Sequence, residues 1–217
     1  MRRGVLFDLD GTLLDTLEDL TDGTNYALRQ FGLPERSMAE VRQFVGSGAE
    51  KLIRRALPGR KDDPDALEVL RVFREFYNTH CQIKTRPYGG ILEALAVLKE
   101  KYPLAVVSNK PDSAVKPLCA RYFPGLYARG ESADCPRKPA PDMVYKAMGA
   151  LGVEACVYVG DSDVDVYTAK NAGVPCLSVL WGFRDKAVME SVGGRYFCDA
   201  PAKLPEAIER IMGEVYG

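Results

Sequence analysis

The stretch Asp8-Leu9-Asp10-Gly11-Thr12 sets two carboxylates one residue apart, directly after the short apolar run Val5–Phe7. Carboxylates are poor strand material and costly to bury alone, so their charge must answer to something nearby. Side chains alternate along a strand, so both acids can serve one ligand only if Asp10 has left the strand for a loop, a departure that Gly11 permits. Other apolar runs end in the same way: Leu104–Val107 delivers Ser108, Asn109 and Lys110, and Val157–Val159 delivers Asp161, Asp163 and Asp165 after Gly160. Between those two clusters lies Arg137-Lys138-Pro139, in a segment with three prolines that excludes regular helix. Several carboxylates converging on one lysine are tolerable when a cation and an anion join them, which points to a divalent metal together with a phosphate. The candidate ligands are all oxygen donors, and the lone His80 falls elsewhere in the chain, so Mg²⁺ is the natural cation and zinc is not. The run from Asp161 also starts like a calcium loop, but Val166 stands where that loop needs glycine and Ala172 where it needs a bidentate glutamate.

Elements that could position these groups follow from the hydropathy pattern. Val5–Phe7, Leu104–Val107, Val157–Val159 and Cys176–Leu180 lack polar alternation, as strands buried on both faces do, and they alternate with helical patterns. A mostly parallel α/β core is expected, with helices over Ile91–Lys99 (Leu92, Leu95 and Leu98 forming its stripe), Asp142–Leu151 after Pro141, and about Pro205–Tyr216. Residues 15–86 read as an all-helical insertion. There Leu17, Leu20, Leu28 and Phe31 share a face before Gly32 and Pro34, Ser37 and Glu40 match a capping box, and Pro64 opens a helix carrying Leu67, Leu70, Phe73 and Tyr77.

Length and composition set outer bounds. A chain of 217 residues, 47% hydrophobic, suffices for a large core with a smaller companion, and a formal charge of −1 offers no general attraction to nucleic acid or an anionic membrane. No apolar run is long enough to span a bilayer, and the six cysteines (Cys81, Cys119, Cys135, Cys156, Cys176 and Cys198) form no Cys-x-x-Cys pair. Buried free thiols in a reducing, cytoplasmic setting are expected, with no nucleic-acid or membrane partner.

DLDGT at 8–12, Ser108-Asn109, Lys138 and GDSDVD at 160–165, in this order, resemble the haloacid dehalogenase-like superfamily of phosphohydrolases. The resemblance implies a Rossmann-like parallel-sheet core, residues 1–14 and 87–217, with an inserted helical cap domain, residues 15–86. It also implies an aspartyl-phosphate mechanism. Asp8 would be the nucleophile and Asp10 the acid and base. Mg²⁺ would rest on Asp8, Asp161 and the Asp10 backbone carbonyl. Ser108 and the Asn109 amide would bind phosphoryl oxygens, Lys138 would offset charge on Asp8, and Asp165 would orient Lys138 or metal-bound water. Gly11 and Thr12 are expected in the substrate-binding loop, through backbone freedom and a hydroxyl hydrogen bond, while Asp163 faces solvent or backs the site.

Finer features are similar to phosphoglycolate phosphatases: VVSNKP at 106–111, FVGSGAEKLIRRAL at 44–57, PYGGILEAL at 87–95 and LWGFR at 180–184. Gly46-Ser47-Gly48, opening a helix, could present amides to a second anion such as a carboxylate, with Lys51, Arg54 or Arg55 near, or could be a plain turn before a solvated basic face. A small phosphate ester is the expected partner of a monomer or weak homodimer. Pyrophosphate hydrolysis, sugar-phosphate mutase chemistry and a phospho-accepting receiver module are the alternatives. Trp181 and the strand-like Arg195–Asp199 read as packing.

Overall fold

The computed structural model describes residues 1–59 and 64–217. They divide into two compact units, Met1–Leu14 with Pro87–Gly217, and Asp15–Arg86. The first is built on six parallel strands in the order β5-β4-β1-β6-β7-β8: β1 (Arg3–Phe7), β4 (Leu104–Pro111), β5 (Tyr127–Glu131), β6 (Ala155–Gly160), β7 (Cys176–Val179) and β8 (Tyr196–Cys198). The chain steps outward from β1 through β4 to β5, then returns to the other side of β1 and steps outward again. That reversal is the Rossmann order, and it opens a crevice beyond the carboxyl ends of the central strands.

Alternation along the buried strands sorts the core into two layers. Val5 and Phe7 of β1, with Val106, Val157 and Val159, face α5 (Ile91–Lys99), α6 (Asp112–Tyr122) and the C-terminal helix (Leu204–Tyr216). Leu6, Ala105, Val107 and Tyr158 face α7 (Asp142–Leu151) and α8 (Asp163–Ala172) on the opposite side. A one-residue slip of β1 would exchange the two sets and turn Asp8 to the wrong face.

The second unit holds α1 (Leu17–Gln30), α2 (Met38–Phe44), α3 (Ala49–Ala56) and α4 (Ala66–His80). Leu20, Ala27 and Leu28 of α1 and Val69, Leu70, Phe73 and Tyr77 of α4 are buried, and at Gly23 an added Cβ would lie 3.2 Å from the Phe73 and Tyr77 rings. Asp19 accepts from the backbone N–H groups of Lys84 and Thr85, at 3.0 and 2.9 Å to its nearer oxygens, tying α1 to the returning chain. The Ser37–Glu40 capping box is present at α2. A short ribbon of β2 (Leu14–Asp15) and β3 (Arg86–Pro87) marks where the chain passes from one unit to the other.

Some expectations are corrected. Leu92 and Leu67 are 51% and 66% exposed, because the buried stripes run instead through Ile91, Ala94, Leu95 and Leu98, and through Ala66, Val69, Leu70, Phe73 and Tyr77. Pro64 precedes its helix, which begins at Ala66. Ser108, Asn109 and Lys110 lie within β4 rather than after it, at a shift in the β4–β5 register between Val107 and Pro111. All six cysteines are free, and five of them are buried.

Candidate active site

β1 and β6 pair with Phe7 opposite Val159, so Asp8 and Asp161 leave neighbouring strands almost together. The Asp8 N–H donates to the Val159 carbonyl at 2.8 Å, which fixes the backbone as the strand ends. Asp8 Oδ1 accepts from the Leu9 N–H at 2.7 Å and pairs with Lys138 Nζ at 2.9 Å. Asn109 brackets Lys138: its Oδ1 accepts from the Lys138 N–H at 2.8 Å and its Nδ2 donates to the Lys138 carbonyl at 3.0 Å. Lys138 Nζ also reaches Asp165 Oδ1 at 2.8 Å and the Tyr158 hydroxyl at 3.0 Å. Asp165 Oδ2 accepts from Ser162 N–H and Oγ at 3.1 and 2.7 Å, so both of its oxygens are engaged as α8 begins.

Beyond Asp8 the chain folds into a tight loop in which the N–H groups of Thr12, Leu13 and Leu14 all point at the Leu9 carbonyl. Gly11 has φ +84°, and a Cβ there would collide with the Asp161 carboxylate. Trp181 Nε1 donates to the Thr12 carbonyl at 3.0 Å, so its ring both packs and pins the loop. The loop carries Asp10 away from Asp8, to an ion pair of 2.9 Å with Lys110 Nζ. Each acid of the first motif thus has a lysine of its own, from a different element.

Asp161 is held by Thr12 Oγ1 at 3.0 Å and the Phe183 N–H at 2.7 Å. Burial first, then the charge of Asp165, pushes its carboxyl up to about 7 against those donors and Lys138. Burial likewise pushes Asp8 well above the carboxylate range; Lys138 opposes this, and Asp165 and Asp161 add to it. Lys138 keeps its proton strongly, because Asp165 and Asp8 outweigh its own burial. Asp8, Asp161 and Asp165 offer oxygens that lie within 4.8 Å of one another, an acidic triad that could hold a metal. Hard oxygen donors, buried and carrying more negative charge than one lysine neutralises, suit a hard divalent cation.

A sequence model of haloacid dehalogenase-like hydrolases matches residues 5–179. The chain belongs to this family. It is 33% identical over 219 residues to a phosphoglycolate phosphatase of Mesorhizobium japonicum, with 96% of each chain covered. An N-acetylmuramic acid 6-phosphate phosphatase of Pseudomonas aeruginosa is 30% identical, with 97% of this chain and 96% of the relative covered. A solved structure from Lactobacillus delbrueckii subsp. bulgaricus, proposed to be a phosphoglycolate phosphatase, is 38% identical with a TM-score of 0.89, over 94% of this chain and 97% of that one. This haloacid dehalogenase-like hydrolase is therefore a phosphoric monoester hydrolase similar to phosphoglycolate phosphatases, with no helix among its described residues long and apolar enough to cross a membrane.

Within this haloacid dehalogenase-like core, Asp8, Asp161, Asp165, Lys138 and Asn109 are brought together; Ser108 precedes Asn109 within β4, and Asp10 lies on the loop beyond β1. The Asp10 carboxylate stands outside the acidic triad, on Lys110. Thr12 donates its hydroxyl to Asp161 Oδ1 and so orients that carboxylate. The Asn109 side-chain amide is engaged on both sides by the Lys138 backbone. Asp163 pairs with Arg184 at 3.4 Å. Gly46 and Gly48 belong to the helical unit, where both have positive φ and Gly48 precedes α3. Arg54 there pairs with Glu50 at 3.0 Å, and Arg55 donates to the Phe44 carbonyl at 2.7 Å. Lys110 and Tyr158 also reach the site, on Asp10 and Lys138, although neither is among the residues expected there. Lys110 stood next to Asn109 in a recognised motif, whereas Tyr158 looked like any residue of an apolar strand.

Proposed function

We propose that this hydrolase cleaves small phosphomonoesters that carry a carboxylate, 2-phosphoglycolate foremost, by two successive transfers at phosphorus. In the first, an Asp8 oxygen bonds to phosphorus, the ester P–O bond breaks, and Asp10 gives its proton to the departing oxygen. In the second, water bonds to phosphorus while Asp10 takes its proton, and the bond to Asp8 breaks to free orthophosphate. Lys138 neutralises Asp8, and the Ser108 hydroxyl with the Asn109 backbone N–H binds phosphoryl oxygens. Asp8, Asp161 and the Asp10 backbone carbonyl would hold Mg²⁺, which when bound supplies positive charge against the excess carboxylate charge and the incoming phosphate.

The observation that supports this reading best is the division of the first motif, with Asp8 on Lys138 and Asp10 on Lys110. Two carboxylates with separate partners can act in separate roles, and a receiver module, which stops at the phosphorylated aspartate, has no use for the second. The carboxylate on the substrate is supported by two relatives of nearly full length, whose names specify phosphoglycolate and N-acetylmuramic acid 6-phosphate, both phosphorylated acids. The turn at Gly46 and Gly48 is assigned to reading that carboxylate, and residues 15–86 to the cap role.

Phosphate release measured over phosphoglycolate, an acidic sugar phosphate, a neutral sugar phosphate, pyrophosphate and an aryl phosphate, with Mg²⁺ and with chelator, tests the proposal. Phosphoglycolate should lead, chelation should stop release, Asp8→Asn should abolish it and Asp10→Asn should lower it about a hundredfold or more. Preference for the acidic sugar phosphate would move the assignment to that class. Release that survives Asp8→Asn would end the covalent route.

A further inference from the structure

Lys110 takes part in no step described above, yet its side chain is 3% exposed and its ammonium lies 2.9 Å from Asp10 Oδ1. Long flexible lysines are seldom buried without a reason, and one sunk this deeply holds its partner in a fixed place. Its backbone is fixed as well, since the Lys110 N–H donates to Ser108 Oγ at 3.2 Å within β4. Buried Cys119 of α6 feels both charges; burial, then Asp10, pushes its thiol up to about 12, so it remains neutral and does not compete for the ammonium. Asp10 itself sits on a loop, and it is the more accessible member of the pair at 14% exposure. A carboxylate on a loop, anchored at one oxygen by a rigid strand, keeps its second oxygen aimed while the first is held.

We propose that Lys110 is a positioning residue for the acid and base step, holding one oxygen of Asp10 so that the other stays aimed at the reacting group. The inference rests on the assignment of Asp10 above. Anchoring matters most in the second transfer, where Asp10 must meet a small mobile water molecule, and least in the first transfer from an aryl phosphate, whose phenolate leaves without a proton.

The test is rapid-mixing kinetics with 4-nitrophenyl phosphate and Mg²⁺, comparing wild type with Lys110→Met, Lys110→Arg, Asp10→Asn and the Lys110→Met/Asp10→Asn double variant. Lys110→Met is expected to release about one nitrophenolate per site at the wild-type rate and then turn over tenfold or more slowly, with Lys110→Arg recovering part of that loss. On the Asp10→Asn background, Lys110→Met should change nothing further. Unchanged turnover in Lys110→Met, equal loss in both phases, or additive losses in the double variant would each overturn the proposal. A merely structural defect gives the second or third of these results. If Lys110→Met does not fold, Lys110→Arg decides through the same split between first and later turnovers. Failure of the underlying assignment is visible separately, because Asp10→Asn would then turn over like wild type.

Discussion

Asp161 carries the sharpest consequence of placing acids side by side. Its carboxyl is buried, faces Asp165 and is raised to about 7, so without metal the folded chain keeps a proton that the unfolded chain has already lost. Stability of the metal-free protein therefore falls, through this group, as pH rises from the ordinary carboxylate range through about 7. A cation among these oxygens reverses the penalty but competes with the proton below that point. Added Mg²⁺ is expected to raise the melting temperature more at about pH 8 than at about pH 5.5, as read by thermal denaturation with and without chelator. An equal shift at both pH values would mean that the ion does not sit on these carboxylates. Much of this was legible in the residues alone: Asp8 and Asp161 directly follow recognisable strands, Asp165 belongs to the same motif as Asp161, and Lys138 stands out in a proline-bearing segment that excludes helix. The Asp10–Lys110 pair was not, because nothing local to either residue announces a partner across two strand ends.

At the scale of elements, the site depends on turns as much as on strands. Gly11 allows the loop after β1 to fold back at φ +84°, and the space a side chain would need there is filled by the Asp161 carboxylate. Gly11→Ala is expected to lower phosphate release at least tenfold and to weaken Mg²⁺ binding, measurable by titrating the metal-dependent rise in melting temperature, because the new methyl group must displace the Asp161 oxygen proposed to hold the metal. Unaltered metal titration would show that the loop can yield without disturbing Asp161. The central strands could be read in advance, since β1, β4 and β6 each contain a continuous apolar run buried on both faces. β5 escaped because Tyr-Ala-Arg-Gly-Glu is a half-exposed edge strand without such a run, and α6 because Pro117 interrupts the pattern of an otherwise regular helix.

For the molecule as a whole, the proposed division of labour assigns the phosphoryl chemistry to the core and selectivity to the helical unit. The bounds of residues 15–86 were readable because strand-like runs stop at the first acidic motif and resume only after Pro87. Selectivity was not, because a glycine turn and a solvated basic helix look alike in sequence whether or not they meet a ligand. Gly48, with φ +88°, opens α3, so Gly48→Ala strains the turn whose amides are assigned to the carboxylate. The variant is expected to lose severalfold more kcat/KM on phosphoglycolate than on an aryl phosphate. Equal losses on the two would take carboxylate reading away from this turn.

The central claim is that the carboxylate of Asp8 itself takes the phosphoryl group. Quenching the enzyme with borohydride during turnover, followed by mass spectrometry of the peptide that contains β1, addresses it directly, since an acyl phosphate is reduced to the alcohol whereas a free carboxylate is untouched. Reduction of the Asp8 side chain, dependent on both substrate and Mg²⁺, is the expected result. Steady phosphate release with Asp8 unmodified, or reduction at Asp10 in its place, would contradict the account.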